Sequence, residues 1–411
     1  MSRRAIAVFA ISAATVLTAG GTITGQAFAE QNVKIGLILP YTGVGSLQAQ
    51  QMDRGVEQYL KLNAAQLKPY TFTIIKRDSR APDGAAAKIN TQELLTQEKV
   101  DVLAGWLYTP DAIASAPVVT AGKRLAVIMN AGTAFITTLS PYFVRVSFTL
   151  WQSSYVMGEQ AAKYLGAKTA VIAYTDYPPG KDARDAFVYA FEHAGGKVLD
   201  AIPAGGPGAT PDFTPFFQRA KDKHPDVLFV FAPGGDQATA VVKTYGALGM
   251  RAAGIKLIGT GDIVPDTELQ GMGDAAVGLV TMYHYNADLP NAENQALVKA
   301  WKAAYGPDST PDFASVGGYD GMAAIAHALD ATAGKIDDPV AAVKSLEGWK
   351  FNSPRGPIEV DPQTRDIVMN EYLQEVVKGS DGKLHQKVLE TFHNVKDQCK
   401  ELAIGACAPK K

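Results

Sequence analysis

Short apolar runs alternate with amphipathic stretches along most of this chain. The apolar runs are of strand length and show little apolar–polar alternation, as expected of strands covered on both faces. The stretches between them repeat apolar residues at spacings of three and four, which indicates helices. The predicted strands cover residues 33–39, 71–77, 100–105, 125–130, 169–176, 225–234 and 255–261. The predicted helices cover residues 83–98, 110–122, 181–195 and 236–248, with a further one carrying Met52, Val56, Tyr59 and Leu60 on one face.

Repeated strand–helix alternation predicts an α/β fold with doubly wound parallel sheets. The number of repeats exceeds one sheet of ordinary size, so we expect two similar lobes, a break near residues 147–152 and a hinge between the lobes. The end of the chain differs. Residues 370–391 read as two strands around a Ser380-Asp381-Gly382 turn, which predicts an antiparallel hairpin.

The first strand, VKIGLIL, ends in a glycine-containing loop, a place where α/β proteins bind ligands. Gly43 and Gly45 fit the start of a dinucleotide fingerprint, but Gln48 occupies its third glycine position and no P-loop lysine follows. A second match, GMGDAA at residues 271–276, follows a helix-like stretch and precedes a strand, which is the reverse of the required context. The loop therefore does not predict a nucleotide site.

The first 29 residues have the pattern of a secretory signal peptide. Arg3 and Arg4 precede an apolar run over residues 5–17, and small residues end at an A-x-A site over residues 27–29. The run is shorter than the roughly 20 residues that cross a bilayer, and no later segment is long and apolar enough. We therefore expect a mature, soluble protein of about 380 residues outside the cytoplasm, in the periplasm.

Charge and cysteine content narrow the function further. Loss of the two arginines changes the formal charge from −2 to −4 and leaves no basic tract, which argues against nucleic acid or anionic lipid as a partner. Cys399 and Cys407 predict a disulfide rather than a metal site, which would need more ligands. Hydrolase signatures are missing and the six histidines are scattered, so we expect neither an enzyme, nor a metal, nor a cofactor.

Several stretches together resemble the periplasmic solute-binding proteins of the branched-chain amino-acid transporter type. They include VKIGLILPYTGVGS, VDVLAGWLYTPDA, LAVIMNAGTA and NSPRGPIEVDPQT, and the resemblance runs from about residue 33 to 390. It implies a type I periplasmic-binding fold, a monomer that closes on a small solute and delivers it to an ABC transporter permease in the inner membrane. The expected ranges are 30–150 with 285–355 for lobe 1, 151–284 with 356–395 for lobe 2, and 396–411 for a tail.

The resemblance also assigns binding roles. In WLYTPDA, Thr109 stands where the family grips a carboxylate, beside Tyr108. Thr109 before Pro110 also reads as a helix N-cap, so it either binds an anion with free N–H groups or only caps its helix. The second anchor is NAGTA, with backbone groups of Ala131 and Gly132 and the hydroxyl of Thr133. The remaining expected ligand contacts are Gln48 in the opening loop, Trp106 at a strand end, and Trp151 and Tyr177 from the second lobe.

Two departures from the family leave the solute open. The loop after VLFVF reads APGGD, without the family's aromatic residue, and Asp262 stands close to the position of the acid that holds an α-ammonium group. Asp111 would repel a carboxylate unless it points away. The solute is then an amino acid, an aromatic or aliphatic acid, or a neutral amide or urea-type molecule. A sensory binding protein and a secreted enzyme are the alternatives to an importer component.

Overall fold

A computed structural model describes residues 31–80, 82–208 and 212–408; the predicted signal peptide lies outside them. In this part of the chain the strands are β1 Gln31–Leu39, β2 Tyr70–Asp78, β3 Val102–Gly105, β4 Ala126–Ile128, β5 Phe143–Arg145, β6 Thr169–Tyr174, β7 Lys197–Pro203, β8 Val227–Phe231, β9 Lys256–Thr260, β10 Val280–Tyr283, β11 Lys350–Ser353, β12 Gly356–Val360, β13 Ile367–Lys378 and β14 Leu384–Val395. The helices are α1 Ser46–Leu62, α2 Gly84–Thr96, α3 Thr109–Gly122, α4 Leu150–Lys163, α5 Pro178–His193, α6 Thr214–Lys221, α7 Asp236–Ala247, α8 Leu269–Met272, α9 Ala292–Tyr305, α10 Phe313–Ala331, α11 Pro339–Leu346 and α12 Gln398–Glu401. Short 3-10 helices lie at Ala134–Thr138, Gly261–Ile263, Gly273–Ala276 and Gly405–Cys407. Among the described helices, none combines the length and apolar character needed to cross a bilayer.

Two sheets organise the described residues. The first is parallel throughout, in the order β2-β1-β3-β4-β5. The second contains a parallel part in the order β10-β9-β8-β6-β7. The long strand β13 joins it antiparallel to β10 and also pairs with β12 and β14. The predicted α/β class with two doubly wound parallel sheets is confirmed.

Both parallel parts place their first strand between the second and the third. In a sheet of this order the connections leave in opposite directions from one point, and a crevice opens there at the carboxyl ends of the strands. The first sheet has this point between β1 and β3, and the second has it between β6 and β8. The loops at the carboxyl ends of the strands of both sheets carry most of the predicted site residues.

The chain passes between the two sheets in three segments of the described structure. It leaves β5 and enters α4, which packs against the second sheet, through residues 146–149. It returns through residues 284–291 to α9 and to α10, which packs on β3 and β4. It crosses again through residues 347–366, which include the short β11–β12 hairpin, and ends in the predicted β13–β14 hairpin.

Helices α1 and α10 approach each other more closely than larger residues would permit. A Cβ on Gly55 would lie 1.9 Å from the carbonyl oxygen of Ser315, and one on Gly318 would lie 2.1 Å from that of Met52. Glycine at these positions therefore lets the two backbones touch. The contact brings the beginnings of both helices, with Gln48 and Phe313, to the same end of the first sheet.

The predicted disulfide between Cys399 and Cys407 is present, with a Cα–Cα distance of 5.5 Å. It closes a short loop that contains α12 and the last 3-10 helix. Asp397 lies beside the two sulfur atoms, but a sulfur held in a disulfide is not available to a metal as a thiolate. The pair therefore joins two parts of the tail.

Candidate ligand-binding site

A pocket lies where the carboxyl ends of the two sheets face each other. Both sheets contribute to its wall, as do the first crossing segment and the start of α10. The lining residues are Gln48, Leu107, Tyr108, Thr109, Asn130, Gly132, Phe148, Leu150, Tyr177, Pro179, Phe231, Pro233, Gly234, Asp262 and Phe313. Six of the ten residues predicted from the sequence are among them: Gln48, Tyr108, Thr109, Gly132, Tyr177 and Asp262.

Thr109 is the first residue of α3, and its side chain is 1% exposed. Tyr108, not Thr109, is the N-cap, so the sequence-based N-cap position is one residue too late. The Thr109 hydroxyl has no hydrogen-bond partner within the described structure, although it is buried. The first N–H groups of a helix also lack intrahelical acceptors and carry its positive dipole end. Thr109 therefore offers an anion a hydroxyl and a helix N-terminus together.

Asp262 is buried in the opposite wall, in the 3-10 helix after β9. One carboxylate oxygen accepts a hydrogen bond from the Thr260 hydroxyl at 2.7 Å, and the other accepts one from the Tyr283 hydroxyl at 2.9 Å. Burial raises the pKa of Asp262 to about 6, and the two hydrogen bonds oppose that rise. Asp262 is thus a fixed acceptor in the pocket wall and not a surface residue.

Aromatic rings form much of the remaining wall. Tyr177 stacks on Phe231 with ring centres 6.2 Å apart. Burial raises the pKa of Tyr177, and the charge of Asp262 adds to the rise. Phe231 is the last residue of β8, so this strand contributes an aromatic ring to the pocket although the following loop contains none.

The opening glycine loop serves this pocket. Gly45 has φ = +88° and precedes α1, and a Cβ there would lie 2.7 Å from the Tyr108 hydroxyl oxygen. A side chain at this position would therefore displace Tyr108. The turn lets α1 begin beside the pocket, which Gln48 lines. The group that approaches the Gly45 backbone is the Tyr108 side chain.

Gln48 contacts the other half of the molecule. Its side-chain amide donates to one oxygen of Glu268 at 3.3 Å, and the second oxygen of Glu268 accepts from the backbone N–H of Gly235 at 3.1 Å. Burial raises the pKa of Glu268 to about 7, and the nearby carboxylate of Asp312 adds to the rise. This contact closes the pocket across the gap between the sheets.

The loop with Ala131, Gly132 and Thr133 was expected to bind the solute through backbone groups and the Thr133 hydroxyl. In the structure, most of these groups do not face the pocket. The N–H of Ala131 donates to the carbonyl of Trp106 at 3.0 Å, and its carbonyl accepts from the guanidinium of Arg145 at 3.1 Å. Its backbone groups are therefore engaged within the protein. Thr133 is fully buried outside the pocket lining, and its hydroxyl has no partner in the described structure. Gly132 is the residue of this loop that reaches the pocket.

Two predicted tryptophans do not line the pocket. Trp106 has φ = +59°, packs edge-on against Phe143 and donates its indole N–H to the Ser115 hydroxyl at 3.0 Å. Its ring therefore lies in the core behind the first sheet. Trp151 packs in a buried cluster with Ala134 and Cys399, under the C-terminal tail.

Asp111 does not oppose an anion in the pocket. Its side chain is buried in the first turn of α3 but lies outside the pocket lining. Burial raises its pKa to about 7, and the charge of Asp83 adds to the rise while Ser79 opposes it. Thr109 and Asp111 thus begin one helix but face different surroundings.

Several lining residues escaped prediction from the sequence. Phe313 reaches the pocket from a helix far along the chain, and Asn130 donates its side-chain amide to the carbonyl of Leu107 at 2.8 Å, which joins two strand-end loops. Phe231 carried a usable signal, because it ends a buried strand at the edge where ligands bind. Phe313 carried none, because only the packing of α10 on α1 places it there.

Among the lining residues, all of which belong to the described structure, there is no lysine or arginine, and Asp262 is the one with a charged side chain. A negative group bound here would be neutralised by peptide N–H groups and the helix N-terminus, as at other helix-terminal anion sites. Two opposed doubly wound sheets with a pocket between their carboxyl ends define a two-lobed binding protein of the type I periplasmic class. The chain belongs to the periplasmic binding protein family, whose sequence profile matches residues 32–383.

Known relatives agree with this assignment. The chain is 38% identical to Leu/Ile/Val-binding protein homolog 6 of Brucella melitensis, over 94% of this chain and 97% of the relative. Among solved structures, it is similar to an ABC transporter solute-binding protein from Rhodopseudomonas palustris BisB5 in complex with 3,4-dihydroxybenzoic acid. The TM-score is 0.85 at 41% identity, and the match covers 90% of this chain and 99% of the other. A second such protein, from Rhodopseudomonas palustris HaA2 in complex with p-hydroxybenzoic acid, has a TM-score of 0.84 at 38% identity and covers 89% and 98%. The family consists of binding proteins, which agrees with the prediction that this chain is not an enzyme.

Proposed function

We propose that this protein captures a small aromatic carboxylic acid between two lobes and delivers it to an ABC importer. The observation that carries the proposal is the buried, unpartnered hydroxyl of Thr109 at the start of α3, beside a pocket lined with aromatic rings. A carboxylate bound there satisfies the hydroxyl and the free N–H groups of the helix. Asp262, on the far wall, accepts a hydrogen bond from a hydroxyl on the ring.

Two solved structures support an aromatic acid, whereas the Brucella relative at 38% identity is named for leucine, isoleucine and valine. The two solved relatives above hold hydroxylated benzoic acids at 38% and 41% identity. The stacked pair of Tyr177 and Phe231 offers a ring a flat partner, and such pairs contribute about 0.5–1.5 kcal/mol beyond area burial.

A ligand screen by calorimetry tests the assignment. Under the proposal, 4-hydroxybenzoate binds, its primary amide binds at least tenfold more weakly because hydrogen bonds to a charged group are about twice as strong, and leucine binds more weakly than either. Equal or tighter binding of the amide would contradict the carboxylate and favour a neutral, amide-type solute. Asp262 supports that second candidate, because a carboxylate in the wall also accepts from an amide NH₂.

The cellular setting belongs to the same proposal. Residues 1–29 direct export, the mature chain acts in the periplasm as a monomer, and the partner is an inner-membrane permease. Lobe 1 comprises residues 30–150 with 285–355, lobe 2 comprises residues 151–284 with 356–395, and the tail covers residues 396–411. Co-purification of a permease from membranes separates this role from signalling through a sensory partner of the same fold.

A further inference from the structure

We propose that Lys400 is a positioning residue for the solute pocket. It lies in the C-terminal strap, by which we mean residues 396–408 with the Cys399–Cys407 disulfide. Through Asp366 and Arg145 it holds the loop of residues 130–134, one wall of the pocket, in its binding geometry. The affinity part of the test below rests on the proposed function, and the hydrogen-exchange part does not.

The strap lies against elements of both sheets. Cys399 packs in one buried cluster with Ala134, from the loop that follows β4, and with Trp151 and Ala186, from helices α4 and α5. A Cβ on Gly405 would lie 2.7 Å from the Trp151 ring, so glycine permits this close approach. The strap therefore spans the junction between the two halves of the molecule, beside the first crossing segment.

Lys400 points from the strap into the protein, and its side chain is 11% exposed. Its ammonium group donates to the Thr137 hydroxyl at 2.6 Å and forms an ion pair with one carboxylate oxygen of Asp366. Asp366, which lies in the third crossing segment, is almost fully buried. Lys400, which lies in the strap, thus holds one oxygen of the buried Asp366 carboxylate.

The other oxygen of Asp366 is held by Arg145, at 2.9 Å from Nε and 2.6 Å from Nη2. The same guanidinium donates to the carbonyls of Ala131, Thr133 and Ala134 at 3.1, 2.6 and 3.2 Å. These carbonyls surround Gly132, which lines the pocket. Arg145 therefore fastens the pocket wall, and Asp366 sets the orientation of Arg145.

The second half of the molecule holds the same loop from the other side. The N–H of Ala134 donates to Asp182 of α5 at 2.9 Å, and the residue before α5 is Tyr177 of the pocket. Loss of Lys400 leaves one side of Asp366 without its charged partner in a buried site, where an unmet charge is costly. We expect the Asp366 carboxylate to reorient and the Arg145 guanidinium to lose its fixed two-point contact with it. The loop of residues 130–134 should then open more often.

Hydrogen exchange in the solute-free protein tests the positioning directly. Lys400→Met should raise amide exchange across residues 129–138 about tenfold, the equivalent of one lost charge-assisted hydrogen bond, and Lys400→Arg should restore protection. The matched control is Lys396→Met, because Lys396 lies in the same strap but pairs with Asp361 and Glu401 and its side chain is 46% exposed. Circular dichroism confirms that each variant is folded. Unchanged exchange in Lys400→Met, or an equal change in the control, would overturn the proposal.

The affinity of the variants for 4-hydroxybenzoate then distinguishes a role of Lys400 in positioning the pocket wall from a role in stability alone. Lys400→Met should weaken binding of 4-hydroxybenzoate about 2- to 30-fold, the range seen when a residue acts on a site through a contact network. The double variant Cys399→Ser, Cys407→Ser should shift affinity in the same direction, because it loosens the strap. Increased exchange with unchanged affinity would show that the loop is held for stability alone and would overturn the positioning role. Failure of the wild type to bind this acid would reject the proposed solute, while the exchange result still decides whether Lys400 holds the loop of residues 130–134.

Discussion

At the scale of single residues, the Thr109 hydroxyl marks the anion end of the pocket. It is buried without a partner in the described structure, and such a group costs roughly 1–3 kcal/mol unless something binds it. A solute carboxylate meets that need, and the helix that begins at Thr109 adds its positive end. Binding and local stability are therefore coupled at this residue.

Replacement of Thr109 by valine, which keeps the shape and removes the hydroxyl, should weaken binding of 4-hydroxybenzoate. A hydrogen bond to a charged group contributes about 1.5–3 kcal/mol, which corresponds to about 10- to 150-fold in affinity. Calorimetry measures the change. Thr120→Val is the control, because Thr120 lies on the same helix but bonds to Ala116 and Ser140. If Thr109→Val binds the acid as tightly as the wild type, the Thr109 hydroxyl does not contact the solute.

The Asp262 carboxylate should discriminate between ring substituents. We expect the wild type to bind 4-hydroxybenzoate about 10- to 150-fold more tightly than benzoate, from one hydrogen bond to a charged group of about 1.5–3 kcal/mol. Asp262→Asn should shrink this ratio, because the amide is a weaker, uncharged acceptor. The ratio of the two dissociation constants cancels any general loss of affinity. If the ratio of the benzoate and 4-hydroxybenzoate dissociation constants is the same in the wild type and Asp262→Asn, the ring hydroxyl does not bond to Asp262.

The sequence located the pocket through strand ends, but strand ends do not fix where a side chain points. Tyr108 and Thr109 follow β3 and reach the pocket, whereas Trp106 follows the same strand and turns into the core. Trp106 has a positive φ, a conformation that is uncommon for a residue other than glycine and that the apolar pattern does not predict. Trp151 was misplaced for another reason. It is covered by a tail whose docking no local pattern predicts.

At the scale of elements, helices could be predicted from apolar residues at spacings of three and four, and buried strands from short continuous apolar runs. The helix predicted over residues 110–122 is found at Thr109–Gly122, and the one over 236–248 at Asp236–Ala247. Strand β2 was expected to be covered on both faces, but it is an edge strand and most of its residues are partly exposed. The position of a strand within its sheet depends on partners far along the chain, and periodicity does not contain that information.

The contact between α1 and α10 yields a stability prediction. Gly55→Ala places a methyl group 1.9 Å from the carbonyl oxygen of Ser315, so the two helices must move apart. Overpacking of this kind costs about 1–3 kcal/mol, which a denaturation curve measures as a lower free energy of unfolding. Gly271→Ala in α8 is the control, because no atom lies within 4 Å of the added carbon. Equal stability of both variants would show that the helices tolerate the shift.

At the scale of the whole molecule, the pocket wall comes from two sheets that the chain joins in three segments. We expect an open form without solute and a closed form with it, because the contact between Gln48 and Glu268 joins the two halves across the pocket. Small-angle scattering should show a smaller radius of gyration when 4-hydroxybenzoate is added. The same radius with and without a solute that calorimetry shows to bind would contradict a hinge.

Closure should also take up protons. Burial raises the pKa of Glu268 to about 7 and that of Asp262 to about 6 in the closed pocket, and exposure would return both to their ordinary values near 4. The closed form is then favoured at low pH and loses stability as the pH rises from about 4 to about 7.

The affinity for 4-hydroxybenzoate should accordingly fall between pH 5.5 and pH 8, a range in which the solute carboxylate stays ionised. Glu268→Gln should remove the upper part of this dependence. Calorimetry in buffers of different ionisation enthalpy counts the protons. A flat profile in the wild type would show that neither carboxyl changes its surroundings on binding.

The absence of lysine and arginine from the described pocket lining bears on the medium in which the protein works. A charged side chain at a surface attracts its ligand less strongly as salt is added, because small ions screen exposed charges within about 10 Å at 0.1 M. Peptide dipoles inside a closed pocket are largely shielded from those ions. A receptor built in this way would hold an organic acid about equally well in dilute water and in brine.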